Sequence, residues 1–219
     1  MTPLNTIYNV DCLEGMKALP DGCIDMVLCD LPYGTTACKW DTVIPFEPLW
    51  AQYHRLVKPD GAIVLFGSEP FSTALRHSNL KEFRYDWIWE KEQGANFMLC
   101  KYQPYKVHEI ISVFSKGKHL YQPQMTEGQP YVSGKGTSGD ITNNVKKTQT
   151  VNTGTRYPRS ILRYNTDKAR GGGFTQRKNL LRCLNTSSRP TPKQVTLCLT
   201  TAWDQALRLW LQSTRAAIT

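Results

Sequence analysis

The chain has 219 residues, 40% hydrophobic and 11% aromatic, with 27 Lys/Arg against 18 Asp/Glu and a formal net charge of +9. That length fits one α/β domain with an inserted subregion and leaves ample chain to bury a core. No apolar run approaches the ~20 residues of a membrane span, and Met1-Thr2-Pro3-Leu4-Asn5 lacks the basic and apolar segments of a secretion signal, so a cytoplasmic protein without a membrane partner is expected.

In chain order, residues 6–10 read as a short strand, and residues 11–19 follow with a capping acid, Asp11, and apolar side chains at helical spacing. Pro20-Asp21-Gly22 is a turn. Residues 24–29 form a buried strand that runs into Asp30-Leu31-Pro32-Tyr33-Gly34. Residues 45–56 carry Phe46, Leu49, Trp50, Tyr53 and Leu56 on one helical face, closed by Lys58-Pro59-Asp60-Gly61. Residues 62–66 make another buried strand, 70–75 a helix, 83–89 an alternating strand and 107–114 a further strand. Strands alternating with helices predict an α/β fold with a largely parallel, doubly wound sheet.

From Lys118 the composition turns polar and basic, rich in Gly, Ser, Thr, Asn, Gln and Lys as far as about residue 179. Residues 195–211 regain an apolar period and read as one or two helices. Three regions are therefore expected: a catalytic α/β core over 1–117, a basic target-recognition region over 118–185, and a helical tail over 186–219. The charge is divided in the same way. Residues 1–117 hold 11 Lys/Arg against 14 Asp/Glu, and residues 118–219 hold 16 against 4. A segment of that sign is attracted to a phosphate backbone, or else forms a solvated basic tail.

The stretch from Asp30 to Gly34 is the most informative. It places a carboxylate, a rigid proline turn and an aromatic ring at the carboxyl edge of a sheet, where open α/β sheets bind ligands. The carboxylate and the neighbouring carbonyls accept hydrogen bonds from an amino group, and the tyrosine offers a face to a flat ring. A nucleobase with an exocyclic amine suits that combination.

These residues resemble the signature of the amino-methylating DNA methyltransferases, Asp/Asn/Ser-Pro-Pro-Tyr/Phe/Trp, with Leu31 at the second position. The resemblance extends to Asp21-Gly22-Cys23-Ile24-Asp25 before the turn. It continues in Trp87-Ile88-Trp89-Glu90-Lys91, Asn96-Phe97, His108-Glu109 and Val113-Phe114-Ser115-Lys116 after it. Ser188-Arg189-Pro190-Thr191-Pro192-Lys193-Gln194-Val195 is similar to the family's His-Pro-Thr-Gln-Lys-Pro-Val stretch. The order of motifs matches the permuted subgroup whose donor-binding glycine motif comes last.

The resemblance implies a Rossmann-like methyltransferase fold, double-stranded DNA as partner and S-adenosylmethionine as methyl donor. It implies catalytic roles for Asp30, Pro32 and Tyr33, and base-pocket roles for Leu31, Gly34, Trp40, Asn96, His108 and Glu109. It places Asp11, Cys12, Thr191 and Lys193 at the donor. Asp11 reads equally well as a helix cap, and His108 as a structural hydrogen-bonding histidine. Asp30 in place of Ser inclines the target towards adenine N6 over cytosine N4.

One expected motif is missing. The family's Asp-x-Phe-x-Gly-Ser-Gly loop lets the backbone pass close to the donor, yet the last glycine of this chain is Gly173. An incomplete sheet, with divergence from the family after about Leu197, is the expectation. Gly134-Lys135-Gly136-Thr137-Ser138-Gly139 fits a dinucleotide pattern but lacks the strand before it and the helix after it. Seven cysteines without a Cys-x-x-Cys pair and four scattered histidines give no metal-ligand spacing, so reduced thiols and no metal are expected.

Overall fold

The computed structural model describes residues 10–163 except 40, 95, 120, 122, 134, 135, 138–145 and 148, together with 196–200; for 136–137, 146–147 and 196–200 it describes the backbone alone. The described residues fall into two compact units, one reaching Tyr121 and resuming at Ser160, the other running from Gln122 to Arg159.

The first unit begins with α1 (Cys12–Lys17), where the Asp11 carboxylate caps the helix by accepting from the N–H groups of Leu13 and Glu14 at 2.9 and 3.2 Å. Strand β1 (Ile24–Asp30), helix α2 (Phe46–Leu56), strand β2 (Val57–Gly67), helix α3 (Phe71–Ser78), strand β3 (Phe83–Glu90) and strand β4 (His108–Phe114) follow. Late in the chain come two more strands of the same sheet, Ile161–Arg163 and Thr196–Thr200. They are β11 and β12, because six two-residue strands precede them in the second unit. The sheet order is β11-β3-β4-β2-β1-β12.

Burial explains why these segments became strands. In β1, Val27 and Cys29 enter one core cluster and Met26 and Leu28 the other; in β2, Ile63 and Leu65 divide from Val64 and Phe66 in the same way. Both central strands are thus apolar on both faces, and each fully buried side chain contributes about 1.5–3 kcal/mol. All three described helices pack on the first cluster, through Met16, Leu49, Tyr53, Leu56, Phe71 and Leu75. The second cluster is built from strand residues and Tyr33. Arg55 at the end of α2 donates to the carbonyls of Met16 and Leu19, both at 2.7 Å, and so ties α2 to the end of α1, where the Met16 carbonyl also accepts the Leu19 N–H at 3.1 Å.

The sheet is mixed. β1 runs parallel to β2 and β12, and β11 parallel to β3, but β4 is antiparallel to both β2 and β3. Among its described residues the 91–107 connection holds a single 3-10 turn, Phe97–Leu99, and consecutive strands joined without a crossover helix lie antiparallel. Residues 58–61, expected as a turn closing α2, lie within β2 as an irregularity, where Ile24 pairs with Val57 and Met26 already with Ala62.

The helix expected over 195–211 is overturned at its start. Residues 196–200 form β12, with Met26 opposite Thr196 and Asp30 opposite Thr200. A short apolar run carrying threonines is ambiguous by pattern, and pairing with an open strand edge decided it. Of the strand expected at 6–10, residues 6–9 lie outside the described residues and Val10 is a bend; residues 201–211 also lie outside them.

The second unit contains three antiparallel two-residue pairings: β5 (Thr126–Glu127) with β10 (Thr155–Arg156), β6 (Tyr131–Val132) with β9 (Val151–Asn152), and β7 (Gly136–Thr137) with β8 (Lys146–Lys147). None of its side chains whose exposure is described is buried. The Arg156 guanidinium holds the unit together. It lies 4.8 Å over the Tyr131 ring and donates to the Asn152 side chain and the Gln129 carbonyl.

Candidate active site

Strand pairing collects the chemistry at one sheet edge. Asp30 lies opposite Phe66 and Thr200, Gly67 opposite Ile110, and Glu90 opposite both His108 and Arg163. The carboxyl ends of β1, β2, β3, β11 and β12 therefore meet the amino end of β4.

Leu31 and Pro32 are buried and anchor the turn after β1. The Tyr33 hydroxyl donates to Asp30 Oδ1 at 2.7 Å, and its ring stacks on Phe71 at 5.1 Å with 29° between the planes. Phe71 in turn meets Phe46 at 5.9 Å. The carboxylate is thus oriented by a hydroxyl whose own ring stacks on Phe71 of α3, itself backed by Phe46 of α2. Gly34 has φ +68°, and a Cβ there would come 3.0 Å from Val43, so both its backbone conformation and its surroundings favour glycine.

Asp41 is the residue that sequence reasoning missed. Its carboxylate is 8% exposed and accepts three consecutive N–H groups, from Gly34 at 2.9 Å, Thr35 at 2.9 Å and Thr36 at 2.7 Å. Burial alone would push this carboxyl up, but the hydrogen bonds from Gly34, Thr36 and Thr35 outweigh it and hold the pKa at about 2. The available signal was the Gly-Thr-Thr turn itself, whose successive amides need an acceptor.

The other expected residues are distributed unevenly. Asn96 braces the β3–β4 loop, accepting from the Lys106 N–H at 2.7 Å and donating to the Pro104 carbonyl at 3.1 Å. Glu109 forms an ion pair with Lys91, whose ammonium lies 4.9 Å over the Trp89 ring. His108 is exposed at the start of β4. Asp11 Oδ1 is committed to the α1 cap, and the Cys12 thiol beside it is pushed up by burial and by the Asp11 charge. Trp40, Thr191 and Lys193 lie outside the described residues.

This edge is equipped to accept hydrogens from an amine at Asp30 while flat rings pack beside it. β12 reaches the same edge at Thr200, and residues 174–219 contain no glycine. Among the described residues, no group of three or more His, Cys, Asp or Glu is placed to hold a metal ion. No helix of the described residues is long and apolar enough to cross a membrane.

A family model described as DNA methylase, N6_N4_Mtase, matches residues 24–195. Among solved structures, the chain is similar to PvuII DNA methyltransferase (cytosine-N4-specific) at 11% identity, covering 88% of this chain and 79% of that one with a TM-score of 0.55. It is also similar to the M1.HpyAVI–SAM complex at 17% identity, with 88% and 80% covered and a TM-score of 0.50. At these identities the likeness is one of fold.

Proposed function

The chain belongs to the N6/N4 DNA methylase family, and from that premise we propose that its carboxyl edge binds a base flipped out of double-stranded DNA and prepares the exocyclic amine for methylation. Adenine N6 is the preferred target. The observation that carries the reading is the Asp30–Tyr33 hydrogen bond at the sheet edge, which fixes an acceptor where the amine must sit.

An aromatic amine is a poor nucleophile because its lone pair is delocalised into the ring. Accepting its hydrogens at Asp30 and at a backbone carbonyl near Leu31-Pro32 favours a pyramidal nitrogen with the lone pair free to attack. Tyr33 serves twice, orienting Asp30 through its hydroxyl and offering its ring to the base. Stacking of that kind is worth about 1–3 kcal/mol per base. Gly34, held by the Asp41 amide cradle, lets the chain turn away beneath the base. Asn96, His108 and Glu109 belong to the rim of the same pocket, and the basic region after Lys118 tracks phosphate. The base must leave the stack because its amine cannot be reached inside a duplex.

S-adenosylmethionine is the donor the family implies, and Asp11, Cys12, Thr191 and Lys193 are the residues proposed to face it. The missing glycines after β12 support a second reading, a DNA-binding protein whose residues 1–219 do not seat the donor tightly. Calorimetric titration with S-adenosylmethionine separates the two. On the second reading little saturable heat is expected, and a micromolar Kd would overturn it. In a methyl-labelled assay on DNA, any transfer should vanish in Asp30→Ala while DNA binding persists; equal turnover in the variant would sink the assignment of Asp30.

A further inference from the structure

We infer that the loop joining β3 to β4 is a preformed apolar wedge that enters the DNA stack beside the displaced base, an inference that rests on DNA binding at the carboxyl edge. The loop leaves the sheet at Glu90 and returns at His108, two strand ends paired with each other on the edge that carries Asp30. At its tip Phe97 is 76% exposed, Met98 87% and Tyr102 86%. A cluster of large apolar side chains presented to water in this way marks an interaction site.

The tip is held out rather than loose. Asn96 ties it to the Pro104 carbonyl and the Lys106 N–H, and the Tyr105 hydroxyl donates to the Gly94 carbonyl at 3.1 Å. The turn itself is closed by Leu99 N–H to the Asn96 carbonyl at 2.9 Å and Tyr102 N–H to the Leu99 carbonyl at 2.9 Å. The Tyr105 ring meets Phe97 edge-on at 6.5 Å. The wedge is therefore ordered before it binds, and little conformational entropy is lost on insertion.

Charge identifies the occupant. Residues 91–107 contain Lys91, Lys101 and Lys106 against Glu92 alone, within a first half that is otherwise acidic; Lys91 is paired with Glu109, while Lys101 is exposed beside Tyr102 at the tip. Apolar tips flanked by lysines suit a base stack bordered by phosphates, and proteins that kink or open duplexes insert Phe and Met side chains between base steps. Emptying one position of the stack costs a few kcal/mol, and an inserted ring offsets part of it.

The test needs no knowledge of the recognition sequence. Fluorescence anisotropy of the full chain compares an intact duplex with the same duplex carrying one abasic site, which supplies the vacated space in advance. The wild-type chain should prefer the abasic duplex about tenfold, in line with one stacked ring. The triple variant Phe97→Ala, Met98→Ala, Tyr102→Ala should lose that preference to within about twofold of parity while binding the intact duplex as before. These side chains lie in solvent, so an unchanged melting temperature is expected. Equal binding of both duplexes by the wild type, or an undiminished preference in the variant, would overturn the wedge and leave DNA binding standing. Failure to bind either duplex would overturn both. A self-associated wild type that becomes monomeric in the variant, with no change in duplex preference, would assign the loop to a second copy of the chain and overturn the wedge.

Discussion

Val27 in β1 and Val151 in β9 are the same side chain in the same kind of backbone, yet Val27 is 0% exposed and Val151 69%. Val27 sits between two paired strands with a core cluster beneath it. Val151 sits in a two-residue pairing, and none of its unit's side chains whose exposure is described is buried. In the α/β unit, position follows from apolar area removed from water. In the unit from Gln122 to Arg159 it follows from a few backbone bonds and one guanidinium. The catalytic role proposed for the Asp30–Tyr33 turn needs the first kind of support, because a carboxylate must hold its aim before substrate arrives. A surface whose contacts form only on binding tolerates the second kind, which is what the target-recognition role proposed for this region would ask of it.

The largest effect should come from emptying the core. Phe114 is 0% exposed and packs on Trp50 and Phe83. Phe114→Ala should lower stability by about 3–5 kcal/mol in urea unfolding. A midpoint that does not move would break the contrast. Next is Asp41→Asn, which leaves amides of the turn after β1 poorly matched and should cost roughly 1–3 kcal/mol. Its pH signature can be stated by sign. The folded pKa of about 2 lies below the ordinary 3.8, so this carboxylate's contribution is complete above pH 3.8 and is lost as the pH falls towards 2. Acid unfolding curves should show that component in the wild type and not in the variant.

Arg156→Ala should act on the second unit alone, at about 1 kcal/mol. Hydrogen exchange at the Gly128 and Ser133 amides should quicken severalfold while the melting temperature of the α/β unit holds. Loss of that melting temperature would mean that the two regions share stability. The smallest effect expected is Val151→Thr, within about 0.5 kcal/mol in the same unfolding assay, as befits an exposed strand position without packing.

Much of the first unit was legible in the sequence because its signals are local. The face Phe46, Leu49, Trp50, Tyr53, Leu56 specified α2, observed at Phe46–Leu56, and the apolar runs at 24–29 and 62–66 lie inside β1 and β2. Asp11 announced its cap, and the Asp30–Tyr33 turn and its family were readable from residue types alone. What remained illegible depends on partners distant in sequence. That β4 runs antiparallel, that 196–200 pairs with β1 instead of coiling, and that 161–163 completes the sheet beside β3 are all settled by which strand edge stands open.

The same division holds within the site. Composition and motif determined that a carboxylate, a proline and an aromatic ring stand together at the end of a strand. Only the folded chain decided that Phe71 from α3 holds Tyr33, that Asp41 gathers three amides beneath Gly34, and that the β3–β4 loop shares the edge with Asp30. Hydrophobic period and backbone stiffness are properties of neighbouring residues and are written in order along the chain. Hydrogen-bond geometry across a turn and strand order across a sheet are properties of contact, and contact exists only once the core has closed.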